Sequence, residues 1–180
     1  NAGAASPPHP SQAAVDAAWE KYRSLEEGKN ADYIPALAKV DPKLFGIALV
    51  TVDGQVFRKG DVASRFSIQS ISKVFTLASV VETSGARAVM DKLGVDATGQ
   101  VFNSIVAIES MKGREMNPFV NPGAIAATSL VEGQTAEEKW ARILAIHEAF
   151  AGRKLTVDEE VYRSEAATND RNQAIARLMH

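Results

Sequence analysis

Only two adjoining stretches of this 180-residue chain have the makings of β-strands. Phe45 to Val52 is rich in β-branched and aliphatic residues, Gln55 to Arg58 follows, and Asp53-Gly54 between them is a strong hairpin signal. A two-stranded ribbon is marginal by itself in water. The two strands are therefore expected to belong to a larger antiparallel sheet whose remaining strands are not in this chain. The other patterned segments read as helices, so the expected class is α/β of the α+β type, with helices packed around an incomplete antiparallel sheet.

Ser11 is expected to cap a first helix, in which Val15, Ala18, Trp19 and Tyr22 recur at three- and four-residue spacing to form one apolar face, and Gly28 to end it. Ile68 to Val81 carries an apolar helical pattern interrupted by serines and one lysine, closing near Gly85. Asn121 to Leu130 can form a further helix. Thr135 and Glu138 make a capping box for the helix holding Trp140, Ile143 and Leu144, which Gly152 ends. A last helix is expected from about Thr168 to the end. Residues 1–10 form an alanine- and proline-rich lead-in expected to be disordered, with Asn1 and Ala2 reading as a cloning remnant, and 11–180 form one domain.

Composition narrows the chemistry. A formal charge of −2 with no block of like charges argues against a nucleic-acid or membrane-surface role, and 46% apolar residues suffice for a core. Phe45 to Val52 is too short to span a bilayer, and Asn1 to Gln12 lacks a signal peptide's pattern, so a soluble cytoplasmic protein acting on a small molecule is expected. The absence of cysteine removes disulfides, thiolate metal sites and a cysteine nucleophile. Of three histidines, His9 lies in the lead-in and His180 is the last residue. His147 shares an apolar helix side with Ile143, Leu144 and Phe150, where a packed residue is the better reading and a catalytic one the rival. No metal site is expected. Gly94 to Gln100 has the glycine spacing of a phosphate loop without its lysine, and the Gly-x-Ser-x-Gly elbow is missing.

What remains is Ser70-Ile71-Ser72-Lys73. Positions three apart on a helix share a face, so the Ser70 hydroxyl and the Lys73 amine can meet. Burial would depress the lysine pKa, a neutral amine could take the serine proton, and the positive helix end could stabilise an oxyanion. Ser-x-x-Lys also occurs by chance in many helices. Here Lys73 lies among Ile71, Val74, Phe75 and Leu77, where a charged amine is costly unless it has a partner or a task.

The string Phe66-Ser67-Ile68-Gln69-Ser70-Ile71-Ser72-Lys73-Val74-Phe75 closely resembles the nucleophile segment of bacterial serine-dependent L-glutaminases, which have a β-lactamase and transpeptidase-like fold. Ala31-Asp32-Tyr33-Ile34-Pro35-Ala36-Leu37-Ala38 is similar to an upstream segment of the same family, and Asn117 to Ile125 resembles another. The resemblance implies that Asn121 holds substrate. Pro122 stands where the family would have alanine, which removes a backbone donor and restrains Asn121. The plain structural role for Asn121 is a helix N-cap, and both roles can coexist. Ser164-Glu165 with Asn169-Asp170-Arg171-Asn172 resembles a third segment, implying that Glu165 and Asn172 bind substrate too. Seven residues are nearly two helical turns, so both would face one way if one helix carried them. The rival reading is a solvated charged face.

The resemblance implies a Ser70 nucleophile with Lys73 as its base, L-glutamine as substrate and no cofactor. It also implies a homo-oligomer, dimer or tetramer. Free glutamine presents an ammonium that Glu165 can meet, and a carboxylate and an amide that suit the neutral donors Asn121 and Asn172. The rival serine acyl-enzymes, β-lactamases and penicillin-binding proteins, add a Ser-Asp-Asn tripeptide that this chain lacks. Missing too are the family's later tyrosines and its Lys-Ser-Gly strand. The 180 residues alone are therefore expected to be a catalytically incomplete fragment.

Overall fold

The computed structural model of the chain describes residues 9–110 and 117–179. Two compact units divide after Phe66. In the first, helix α1 (Pro10–Tyr22) and a short helix α2 (Pro35–Ala38) accompany a hairpin of β1 (Gly46–Val50) and β2 (Val56–Gly60). The strands are antiparallel, with Gly46 opposite Gly60 and Val50 opposite Val56, and they form the whole sheet among the described residues. Gly54 has φ 84°, and its N–H bonds to the Thr51 carbonyl while the Thr51 N–H bonds to Gln55. Asp53-Gly54 thus forms the turn that its sequence announces, with glycine in the left-handed position.

The ribbon leans on α1. Val15 and Phe57 are buried, the Trp19 indole N–H reaches the Phe45 carbonyl at 3.4 Å, and the Gln12 amide reaches Arg58 at 3.3 Å. Gly60, at φ 77°, lies so close to this indole that a Cβ there would fall 2.2 Å from its nitrogen. The opposite face, with Ala48, Val50 and Val56, is exposed.

The lead-in and the remnant expected at the N-terminus lie, up to residue 8, outside the described residues. Its last two residues differ from the expectation: His9 stacks on Phe57 at 4.8 Å, and Pro10 opens α1. His9, not Ser11, is the N-cap, its ring nitrogen accepting the Ser11 N–H. Nor does α1 run to Gly28. It ends at Tyr22, because Leu25 beyond it is exposed and offers no apolar face to propagate the helix.

The second unit is helical. A single 3₁₀ turn (Gln69–Ile71) leads into α3 (Ser72–Lys92), followed by α4 (Val106–Ser110), α5 (Asn121–Ser129), α6 (Ala136–Ala151), α7 (Glu159–Ala166) and α8 (Asp170–Leu178). Val80, Val89 and Leu93 of α3 and its C-cap pack on Ala127 and Val131, with Leu77 and Ile143 beside them. The helix expected to close near Gly85 only kinks there, at φ 80° and ψ 157°. It resumes because Val89 and Leu93 are core anchors, and Gly94, at φ 82°, is the stop. The capping box of Thr135 and Glu138 is formed, and Gly152 ends α6 in the left-handed conformation.

Two features bear on stability. His147 is buried, with its ring edge against Phe75 at 5.4 Å and Nδ1 at 2.7 Å from the Ile143 carbonyl. A carbonyl only accepts, so Nδ1 is the donor in this contact, leaving Nε2 as the other polar atom of the ring. That buried Nε2 has no hydrogen-bond partner among the described residues. His147→Leu is therefore expected to leave the unfolding free energy unchanged or raise it by up to about 1–2 kcal/mol in chemical denaturation. Gly123, in the first turn of α5, is pressed against the loop before it: a Cβ would lie 1.9 Å from the Asn117 carbonyl oxygen. Gly123→Ala should cost about 1–3 kcal/mol in the same measurement.

Candidate active site

Ser70 lies inside the 3₁₀ turn and Lys73 in the first turn of α3, so the two stand three residues apart where the tighter winding nearly eclipses i and i+3. Lys73 Nζ is 2.8 Å from Ser70 Oγ. It is also 2.8 Å from Asn121 Oδ1, and Asn121 Nδ2 donates to Asn172 Oδ1 at 2.9 Å. A turn, α3, α5 and α8 thus converge on one hydrogen-bonded row. Ser70 is exposed, whereas Lys73, Asn121 and Asn172 are half-buried.

Burial holds the Lys73 amine below its ordinary lysine value, and the negative charge of Glu165 works in the opposite direction. An amine so placed gives a hydrogen to Asn121 Oδ1 and, when neutral, can turn its lone pair toward the Ser70 hydroxyl. The arrangement can therefore activate an alcohol as a nucleophile. Among the described residues no group of three histidines or carboxylates could hold a metal ion.

Asn121 is the first residue of α5, and Val120, in extended conformation, is the N-cap. The N-cap reading of Asn121 is thus corrected, and its side chain is turned to Lys73 and Asn172 instead. Its N–H donates to the Phe102 carbonyl at 2.7 Å. Pro122 fits at the next position, where the first helical turn leaves N–H groups without intrahelical partners anyway, and its ring is buried.

Glu165 and Asn172 do not share a helix. Glu165 is near the end of α7 and Asn172 in α8, separated by a break in which the Thr168 hydroxyl donates to the carbonyls of Ser164 and Glu165. Both are half-buried rather than part of a solvated face. The Phe102–Asn103 stretch carries no motif, yet it holds the Asn121 N–H and, through the Asn103 carbonyl, the Arg171 guanidinium at 3.1 Å. Backbone carbonyls do this, and no side-chain pattern signals them.

Glutaminase is the family that matches, over residues 28–180. The glutaminase of Colwellia psychrerythraea is 54% identical over 168 residues, covering 93% of this chain and 54% of that protein. Glutaminase 1 of Shigella flexneri is 48% identical, covering 94% and 54%. The solved structure of the probable glutaminase ybaS superposes with a TM-score of 0.91 at 48% identity, covering 93% of this chain and 54% of that one. A probable glutaminase from Bacillus subtilis, complexed with 6-diazo-5-oxo-L-norleucine, superposes with a TM-score of 0.79 at 30% identity over 98% and 54%. The chain spans about half the length of the curated relatives it matches. Helices with an antiparallel hairpin, superposing on solved glutaminases, bear out the expected β-lactamase-like fold class. By sequence and by structure, the chain belongs to the glutaminase family.

Proposed function

We propose that the protein carrying this chain is an L-glutaminase that hydrolyses the side-chain amide of glutamine through an acyl-enzyme on Ser70. The observation that carries this reading is the Lys73 amine, 2.8 Å from both Ser70 Oγ and Asn121 Oδ1, in a chain of the glutaminase family. Neutral Lys73 takes the Ser70 proton as Oγ attacks the side-chain carbonyl carbon. The lysine then returns that proton to the departing nitrogen, and ammonia leaves. Water, deprotonated by the same amine, cleaves the ester and frees glutamate and Ser70. The chemistry needs no cofactor.

Glu165 is the anion offered to the substrate ammonium. Asn172, its oxygen engaged by Asn121, has its amide hydrogens left for the substrate carboxylate or amide. The family resemblance also supports a homo-oligomer, dimer or tetramer, in the cytoplasm; light scattering reads the assembly directly. No helix of the described residues is long and apolar enough to cross a membrane.

Ser70→Ala and Lys73→Ala should each lower kcat, followed as ammonia release, by about 10³-fold or more. Near-normal turnover in either variant removes the assignment, and hydrolysis of nitrocefin in place of glutamine would favour the β-lactamase-like rival.

The pH dependence follows from the same amine. The base works when neutral, so kcat/KM should rise with pH along a limb whose midpoint lies below the 10.5 of an ordinary lysine. Glu165 opposes that depression. Glu165→Gln should therefore move the limb to lower pH while weakening glutamine binding by about 2–5 kcal/mol, read in KM. A limb that stays in place, with KM unchanged, would return Glu165 to the protein surface.

A further inference from the structure

Among the described residues Gln69 is the only non-glycine residue with positive φ, at 47°. Residues with a Cβ seldom adopt this left-handed conformation, and they persist in it where the surroundings over-determine them. Gln69 sits directly before Ser70. It opens the 3₁₀ turn in which Ser72 N–H bonds back to the carbonyls of Gln69 and Ser70. Its side chain reaches back along the chain, Nε2 donating to Ser67 Oγ at 3.0 Å. Ile68 and Ser72, on either side of the turn, both have right-handed helical backbone, so the reversal falls on Gln69 alone.

From this we infer that Gln69 is a positioning residue. Its left-handed backbone, pinned by the side-chain bond to Ser67, sets the turn that delivers Ser70 Oγ to Lys73 Nζ. A helical φ at Gln69 would continue the winding of α3 backward and carry the peptide before Ser70 in another direction. The 2.8 Å contact therefore depends on an unfavourable dihedral one residue upstream. This inference rests on the glutaminase reading for its turnover measurement only.

A substitution series in the whole protein separates backbone from side chain. Gln69→Gly and Gln69→Asn both tolerate positive φ, Gln69→Ala tolerates it less, and Gln69→Val, being β-branched, least. If the backbone positions Ser70, Gly and Asn keep kcat within about threefold of the parent, Ala falls below them, and Val falls at least about twentyfold, with KM in all four within about twofold. Ser67→Ala lowers kcat in the parent and has no further effect in the Gln69→Gly background. Gln69→Gly falling as far as Gln69→Val, Gln69→Val matching the parent, or KM moving alone would overturn the inference. If Gln69→Val loses its cooperative melt, the pair Gly and Ala decides: Ala below Gly supports the inference, and Ala equal to Gly overturns it. Labelling of Ser70 by a fluorophosphonate, read by intact mass, ranks the same variants without glutamine. A parent inactive on glutamine thus overturns the functional reading, while the labelling order still decides the role of Gln69.

Discussion

A lysine amine half withdrawn from water, held between a hydroxyl and an amide oxygen, is the contact on which the helical unit converges. The row has a direction. Lys73 can only donate to Asn121 Oδ1, which forces Asn121 to present Nδ2 to Asn172, which in turn must answer with Oδ1. Each amide is thereby locked in one of its two flips, without any charge being added beside the amine. A carboxylate in place of Asn121 would bind the ammonium more strongly and hold it charged, which is the opposite of what a base requires. The charge of Glu165 opposes the effect of burial, and the net result still holds the amine below its ordinary lysine value.

Much of this was legible in the residues themselves. The Ser70–Lys73 contact follows from a spacing of three, the hairpin from Asp53-Gly54, and α6 from Thr135, Glu138 and Gly152, because each of these is a local rule that tertiary contacts only reinforced. What failed to show did so for physical reasons. The kink at Gly85 looked like an end because glycine commonly stops helices, and only the burial of Val89 and Leu93 carries the helix on. Helix α7 went unread since its apolar content is low, although Asp158 as N-cap with Glu159 and Glu160 in the first turn marks its start. At the bend that parts Glu165 from Asn172 a threonine hydroxyl returns to the backbone, a choice that composition does not reveal.

The hairpin unit illustrates a different economy. Among the described residues its two strands rest on a helix, with Trp19 and Val15 covering one face. That solution works on one face only. Val50 and Val56, paired across the other face, are left to the solvent, and both strands present an unpaired edge among the described residues.

Pro122 has a further effect through the nitrogen it withholds. Asparagine ages to aspartate mainly when the backbone nitrogen of the next residue, stripped of its proton, closes on the side-chain carbonyl to form a five-membered imide. The tertiary amide of proline has no proton to give up, so that ring cannot form at Asn121. An asparagine followed by alanine has no such protection. Pro122, which fits the first turn of α5, therefore guards the amide that accepts from Lys73 against slow conversion into an acid. Such an acid would oppose the effect of burial and hold the amine in its charged form, against the base role proposed for it.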